Sequence, residues 1–215
     1  MELPFTSAQF FEVFARYNRG VWPLQFALAA AALACIALLY APRTRGSRAI
    51  SLLLALLWAW MAIAYHFVYF SAINPAAWLF GALFLAAAAS FAWFGVLAGT
   101  LEFAPPRGAR GAVGALLVAF ALIAYPLLGH LLGHRYPAAP TFGLPCPTAI
   151  FTLGMLLFAK PPVRWTVYAV PLVWALIGSN AALRLGVRED LGLLAAGIAF
   201  AVLALRQRLA SRAES

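Results

Sequence analysis

Seven long apolar stretches separated by short loops constrain this chain more than any other feature. A helix that crosses a bilayer needs about 20 mostly apolar residues. The chain is 65% hydrophobic and 10% charged, whereas soluble domains carry about 25% charged residues. The sequence therefore predicts an all-α fold, a polytopic transmembrane helical bundle of about seven spans that forms one integral membrane domain over residues 1–215. The predicted spans are residues 21–40, 49–70, 77–99, 111–132, 148–159 (with a possible start near 142), 165–182 and 191–205.

The basic residues are divided unequally between the two sets of loops. One set, with the tail 206–215, carries ten of the 15 basic residues: Arg43, Arg45, Arg48, Arg107, Arg110, Lys160, Arg164, Arg206, Arg208 and Arg212. The other set carries Arg16, Arg19, Arg135, Arg184 and Arg188. Because cytoplasmic loops are enriched in Lys and Arg, the N-terminus is expected outside and the tail 206–215 in the cytoplasm.

The net charge of +9 fits an anionic leaflet better than a nucleic acid, since the arginines flank apolar segments. The predicted location is a bacterial inner membrane, crossed several times, with the lipid bilayer as partner and no nucleic acid. The sequence does not decide whether the chain forms a homo-oligomer or binds another membrane protein. No cleavable signal peptide is expected, because the start lacks a basic region and the first apolar run is long enough to span.

Residues 1–20 have the pattern of an amphipathic helix lying in the membrane interface. Thr6 and Gln9 have the spacing of a capping box, which places the helix start there. Phe10, Phe14 and Tyr17 share one face of this helix. The segment is interpreted either as an anchor for the first span or as a lid over an outer cavity.

Few ionisable side chains fall within the apolar segments, and this excludes several function classes. Proton-coupled transporters usually carry an intramembrane carboxylate or basic residue. The one lysine, Lys160, lies in a loop, so a retinal Schiff base in the last helix is excluded. No phosphate-binding loop, nucleophile elbow or His-Glu-x-x-His motif is present. Enzymatic activity is uncertain, and a non-catalytic role is favoured.

Three histidines and one cysteine are predicted near the same, outer face: His66, His130, His134 and Cys146. If one helix carries both His130 and His134, the spacing of four puts their imidazoles on one face. Imidazole and thiolate bind borderline metals such as zinc, copper or nickel. The first functional hypothesis is therefore binding or transport of such an ion at these four ligands. The alternative for each histidine is an interfacial residue bonded to a carbonyl or water.

Two other functions are carried forward. One is a haem-binding electron carrier with His66 and His130 as axial ligands. The other is a non-catalytic membrane scaffold or a binder of a small ligand or lipid. A zinc hydrolase is a weaker option, because its base would have to come from Glu2, Glu12, Glu189 or Asp190. Four polar residues are predicted to line an outer cavity, with ordinary interhelical hydrogen bonding as the alternative: Asn74, Thr148, Thr152 and Asn180.

Several stretches carry a family resemblance: Leu3-Pro4-Phe5-Thr6, Tyr65-His66, Ile73-Asn74-Pro75-Ala76 and Pro140-Thr141-Phe142-Gly143-Leu144-Pro145-Cys146-Pro147-Thr148. On these the chain resembles an uncharacterised family of bacterial multi-pass membrane proteins, a domain of unknown function. The resemblance implies a membrane location over nearly the whole chain and implies no activity. Pro145-Cys146-Pro147 also looks like the cysteine–proline motif of heavy-metal-transporting ATPases, whose phosphorylation and nucleotide domains this chain lacks.

Overall fold

In the computed structural model, residues 4–105 and 107–213 are described, with side chains as far as Leu209. Within these residues the chain is mostly helical, with two isolated β-bridges and no strand, so the all-α prediction is confirmed. A short 3₁₀ turn, Arg188–Asp190, precedes the last helix. The helices are α1 (Ser7–Gly20), α2 (Leu24–Leu38), α3 (Arg43–Ala72), α4 (Ala77–Leu97), α5 (Gly108–Leu131), α6 (Pro145–Leu156), α7 (Trp165–Leu185) and α8 (Leu191–Ala213).

Four helices, α3, α4, α5 and α7, are long and apolar enough to cross a membrane. The pair α1 and α2 would supply a fifth span, although these helices meet at a bend of 88°. The structure thus supports four or five spans by length and composition among the described residues. Helix α6 has 12 residues, which is about 18 Å of helix, and this is why it fails as a full span.

The outward faces of the long helices are apolar. Leu79, Leu116 and Leu183 are each more than 60% exposed, and many other large aliphatic side chains share this exposure. Soluble monomers rarely expose continuous apolar surface of this extent. This surface is compatible with a hydrocarbon solvent, as the composition predicts.

Helix α6 is short and is enclosed by the other helices. Each residue from Thr148 to Leu156 is buried, and the helix packs on α5, α7 and α8. Gly114 of α5 and Gly154 of α6 allow the closest approach, since a Cβ on either one would lie 2.9 Å from the other's carbonyl oxygen. The core of the bundle is therefore built around α6.

The loops gather at two ends of the bundle. At one end, the backbone N–H of Lys160 donates to the carbonyl of Glu102 (2.7 Å), and Phe103 N–H donates to Ser47 Oγ (2.8 Å). At the other end, Asn18 donates to the carbonyls of Pro137 (2.6 Å) and Ala139 (2.8 Å). The predicted basic loops lie at the first end, which we call the basic end; the second is the cavity end.

Helix α1 begins with the predicted capping box, in which Thr6 and Gln9 bond each other's backbone N–H groups. Its aromatic face turns toward the protein, and Phe10, Phe14 and Tyr17 are buried. The Tyr17 hydroxyl accepts from Trp60 Nε1 (2.7 Å). The prediction of an amphipathic helix holds from Ser7, and its apolar face covers the bundle. Residues 1–3, including Glu2, lie outside the described part.

Helix α8 continues unbroken through Ala213, past residue 205 where the last span is predicted to end, and the cytoplasmic placement of the tail 206–215 stays a prediction. Leu and Arg are good helix formers, so nothing in Arg206-Gln207-Arg208-Leu209 stops the helix. Residues 214–215 lie outside the described part.

A candidate ligand-binding cavity

A cavity of about 440 Å³ lies at the cavity end, beneath α1. Its walls are mostly aromatic and aliphatic, which is typical of small-molecule sites of this size. Helix α1 contributes Phe10 and Phe14, and α3 contributes Tyr65 and Phe70. The remaining walls come from α4, α5, α6, α7 and the loop before α6: Phe80, Tyr125, Pro140, Leu144, Cys146, Trp174, Ile177 and Asn180, among others.

One end of the cavity carries a polar cluster, which we call the acidic cluster: Tyr125, Cys146, Glu189 and Asp190. The Tyr125 hydroxyl donates to Asp190 Oδ1. The Cys146 thiol is a second hydrogen-bond donor to the same carboxyl group. Tyr125, Cys146 and Asp190 line the cavity, whereas Glu189 lies behind it. The cavity therefore joins an apolar body to one hydrogen-bonded acidic end.

Local backbone signals place these groups. Pro145 and Pro147 stand in the first turn of α6, where a missing N–H costs no helical hydrogen bond, so Cys146 is fixed at the helix start. Gly186, with φ of +79°, ends α7, and the 3₁₀ turn then brings Asp190 back toward α5. Gly178 of α7 lies beside the thiol, since a Cβ there would be in ordinary contact with Cys146 Sγ at 3.5 Å.

The pKa of Asp190 is raised to about 7, mainly by burial and to a smaller extent by the negative charge of Glu189. The hydrogen bonds from Tyr125 and Cys146 lower it in part. Removing a carboxylate from water disfavours its charged form, and neutral donors recover only some of the lost solvation. Near neutral pH, Asp190 is therefore present in both protonated and ionised forms.

Glu189 has a partner that Asp190 lacks. Its Oε1 lies 2.6 Å from Nδ1 of His134, an imidazole that is itself stacked on Phe11 at 4.6 Å. Gly129 of α5 faces the same carboxylate, and a Cβ on it would lie 3.1 Å from Oε1. The Glu189–His134 pair fixes the turn that carries Asp190.

The condition for a shared face, one helix carrying both His130 and His134, is not met. Helix α5 ends at Leu131, and Gly133 takes a φ of +93°. The N–H of His134 then bonds the carbonyl of Gly129 and that of Gly133 bonds His130, which is the Schellman pattern of a terminated helix. As a result, His134 turns back to Glu189 while His130 is exposed.

His66 lies away from any aqueous surface. Its imidazole is fully buried and packs edge-on against Phe84 (4.6 Å between ring centroids) and Trp174 (5.3 Å). Neither ring nitrogen has a hydrogen-bond partner among the described residues. A π-helical stretch from Met61 to Tyr69 carries this histidine toward the core.

The four proposed metal ligands therefore have four different surroundings. His66 is enclosed by rings, His130 is exposed, His134 pairs with Glu189 and Cys146 lines the cavity. No group of three or more His, Cys, Asp and Glu side chains in the described part of the chain is arranged to hold a metal ion. The described residues therefore give no support to the proposed zinc, copper or nickel site, and the haem alternative at His66 and His130 stays a prediction.

The predicted cavity residues divide into two pairs. Asn74 and Asn180 line the cavity. Thr148 and Thr152 are fully buried beside it, where Thr152 accepts from Trp58 Nε1 (3.1 Å) and Thr148 accepts from the N–H of Gly143 (3.1 Å). The threonines therefore serve helix packing, which is the alternative considered from the sequence.

Sequence reasoning missed Tyr125, Trp174 and the buried position of Asp190. The signal available was the Glu189-Asp190 pair immediately before an apolar segment, because two adjacent acids at such a place need partners. Trp174 is recognisable as a site residue only from the structure. Its indole nitrogen is buried without a hydrogen-bond partner that meets ordinary distance and angle limits. The Cys146 thiol is its polar neighbour.

Residues 7–215 match a family of unknown function, DUF6064. The chain belongs to DUF6064. No curated protein and no solved structure matches this chain. The family membership fits the resemblance found in the sequence and assigns no activity, so function has to be argued from the cavity.

Proposed function

We propose that this member of DUF6064 is an integral membrane protein that binds a small amphipathic ligand in the cavity beneath α1. The observation that carries the proposal is the shape of the cavity, apolar along most of its wall and acidic at one end. Ligand sites commonly combine a mostly apolar pocket with a few placed polar groups. The apolar body and the single acidic end of this cavity are features of a binding site, and binding is the function we propose.

The exposed apolar helix faces and the charge distribution support the bilayer setting. We propose that α2, α6 and α8 complete a seven-helix bundle with the four long helices, and that the short α6 is enclosed by them. The basic end would then face the cytoplasm of a bacterial cell, by the positive-inside rule. The cavity end would face outward, with α1 across it.

The route into the cavity supports a ligand that comes from the bilayer. Two residues one turn apart on α7, Leu176 and Asn180, both line the cavity and both belong to the exposed surface of that helix. Leu176 is 67% exposed. The cavity thus reaches the lipid-facing side of α7, where a ligand with an apolar body is concentrated.

A substitution that fills the cavity tests this proposal. Ala181 lines the cavity beside Asn180, and Ala181→Phe would occupy its volume. The matched control is Leu183→Phe on the same helix, because Leu183 is 66% exposed and does not line the cavity. Both variants and the unaltered protein are placed in lipid nanodiscs and melted with decylamine, decanol or decanoic acid.

We expect at least one of the three amphiphiles to raise the melting temperature of the unaltered protein and of Leu183→Phe. A ligand that binds the folded state alone stabilises it in proportion to the logarithm of its concentration. Ala181→Phe should lose that response and melt at or above the temperature of the unaltered protein. An equal response of all three proteins would mean that the amphiphiles act on the lipid, and the proposed function would be wrong.

A further inference from the structure

We propose that the ligand of this cavity carries a protonated amine or another ammonium head, which pairs with the Asp190 carboxylate. Its apolar body would lie against the phenyl rings of α1 and α3. This inference rests on the proposed function and names the class of ligand that it takes.

The charge of the cavity wall is the first argument. Among the described lining residues there is an ionisable carboxyl group, that of Asp190, and no basic residue. Its hydrogen-bond partners, Tyr125 and Cys146, are neutral donors. The neighbouring basic residue, Arg188, is exposed, and no salt bridge joins Asp190 to a basic side chain in the described residues. A buried carboxylate without a counter-ion is costly, and a cationic head supplies that counter-ion.

The comparison with Glu189 sharpens this argument. The two carboxyl groups are adjacent in the chain and both are buried. Glu189 has a fixed basic partner in His134, at 2.6 Å. Asp190 faces the cavity instead, where a fixed partner would leave no place for a ligand. The fold thus gives one of the two acids an imidazole partner and leaves the other open to what enters the cavity.

The aromatic lining is the second argument. The rings of Tyr65 and Phe70 are stacked at 5.5 Å between centroids, and Phe80 meets Trp174 edge to face at 5.5 Å. All four residues line the cavity. Aromatic faces attract ammonium groups through the ring quadrupole, most strongly when water is excluded. A carboxylate head would instead meet Asp190 and Glu189 as like charges.

The proposal also predicts how ligand binding changes with pH. The groups that interact with Asp190 are Tyr65 of α3, Tyr125 of α5, Cys146 of α6 and Glu189 beside it, with His134 on the far side of Glu189. An ammonium head needs the ionised carboxylate, so its binding should strengthen as pH rises through about 7, where Asp190 titrates. The amine itself stays protonated to about pH 10. A head that accepts a hydrogen bond from the protonated acid would show the opposite trend.

The test follows protection of Cys146 from thiol modification. The Cys35→Ser protein in lipid nanodiscs is treated with methyl methanethiosulfonate, which reacts with thiols and is not consumed by primary amines as a maleimide is. Rates are measured with and without decylamine, decanol or decanoic acid, and each rate is divided by its ligand-free rate at the same pH. We expect decylamine to protect at a concentration about tenfold lower than decanol near pH 8. This advantage should fall as pH is lowered to about 5.

Asp190→Asn should remove the advantage of decylamine over decanol, and Glu12→Gln, on the exposed face of α1, should leave it intact. Because the head-group and pH series use the unaltered Asp190, the test does not depend on the folding of the variant. Equal protection by all three amphiphiles would overturn the amine proposal and leave the proposed function standing. Absence of protection by any of them would overturn both.

Discussion

The two ends of the bundle handle charge in opposite ways. At the basic end, Lys160 and Glu102 pair at 3.2 Å with both side chains at least 40% exposed. At the cavity end, Glu189 and Asp190 are both buried. Exposed basic residues set the orientation of a membrane protein. Exposed ion pairs contribute little to the stability of the fold. Buried charges must be matched by specific partners, so the cavity end is where a ligand can be recognised.

The largest contrast between the ends should come from removing one acid at each. Glu189→Ala leaves the His134 imidazole without its buried partner, and we expect a loss of about 3 kcal/mol in the free energy of unfolding. Glu102→Ala removes an exposed pair and should cost about 0.5 kcal/mol. Chemical denaturation of both variants in the same detergent measures the difference. Equal losses would mean that the Glu189–His134 pair contributes no more than a surface contact.

Asp190 should make the stability of the ligand-free protein depend on pH. Its pKa is about 7 when folded and 3.8 in the unfolded chain, so the folded state holds the proton more tightly. Stability from this group is complete below about pH 4 and is lost as pH rises to about 7. We expect Asp190→Asn to abolish that decline, in melting temperatures taken between these values. A decline of the same size in the variant would assign the pH dependence to other groups.

Substitution of His66 should raise the free energy of unfolding, whereas substitution of Glu189 should lower it. Both of its ring nitrogens are buried without partners, and an unsatisfied buried polar group costs about 1–3 kcal/mol. We therefore expect His66→Leu to raise the free energy of unfolding by about 1 kcal/mol. Denaturation of the variant, with metal analysis of both proteins, provides the measurement. A large loss of stability accompanied by loss of bound metal would restore the ligand role predicted from the sequence.

The smallest predicted effect concerns α1 as the cover of the cavity. Thr6→Ala removes the side chain that accepts from the N–H of Gln9, which costs about 1 kcal/mol of helix stability. Ser7→Ala, one residue further on, is the control. We expect hydrogen exchange of the α1 amides to increase in the first variant alone. Unchanged exchange would mean that packing of Phe10 and Phe14 holds the helix without its cap.

Much of the fold could be predicted from the sequence, because apolar length and turn residues act locally. The predicted segments beginning at residues 77, 165 and 191 match helices that begin at Ala77, Trp165 and Leu191, and the capping box at Thr6 is confirmed. The structure supports four or five spans by length and composition among the described residues, whereas the sequence predicts seven. One difference is α6, which is a short helix buried by its neighbours, and such burial depends on tertiary packing. Hydropathy alone does not distinguish a short enclosed helix from a lipid-facing one.

The site was harder to predict for two physical reasons. His130 and His134 have helical spacing, yet Gly133 ends the helix between them, so the pair separates. His66 is turned inward by a π-helical stretch that no local residue signals. Asp190 gains its role from Tyr125 and Cys146, which lie 65 and 44 positions earlier in the chain. Contacts of that separation depend on how the helices pack, and a single sequence does not specify this.

The central claim is that the cavity end contains a space that small molecules enter. The chain holds two free cysteines, with Cys146 on the cavity wall and Cys35 fully buried in the core. The direct measurement is the alkylation of each by N-ethylmaleimide in lipid nanodiscs, mapped by mass spectrometry, in the unaltered protein and in Ala181→Phe. We predict modification of Cys146 and not of Cys35, with the Cys146 rate strongly reduced when the phenyl ring fills the cavity. Equal modification of both cysteines, or a Cys146 rate that Ala181→Phe leaves unchanged, would contradict the account.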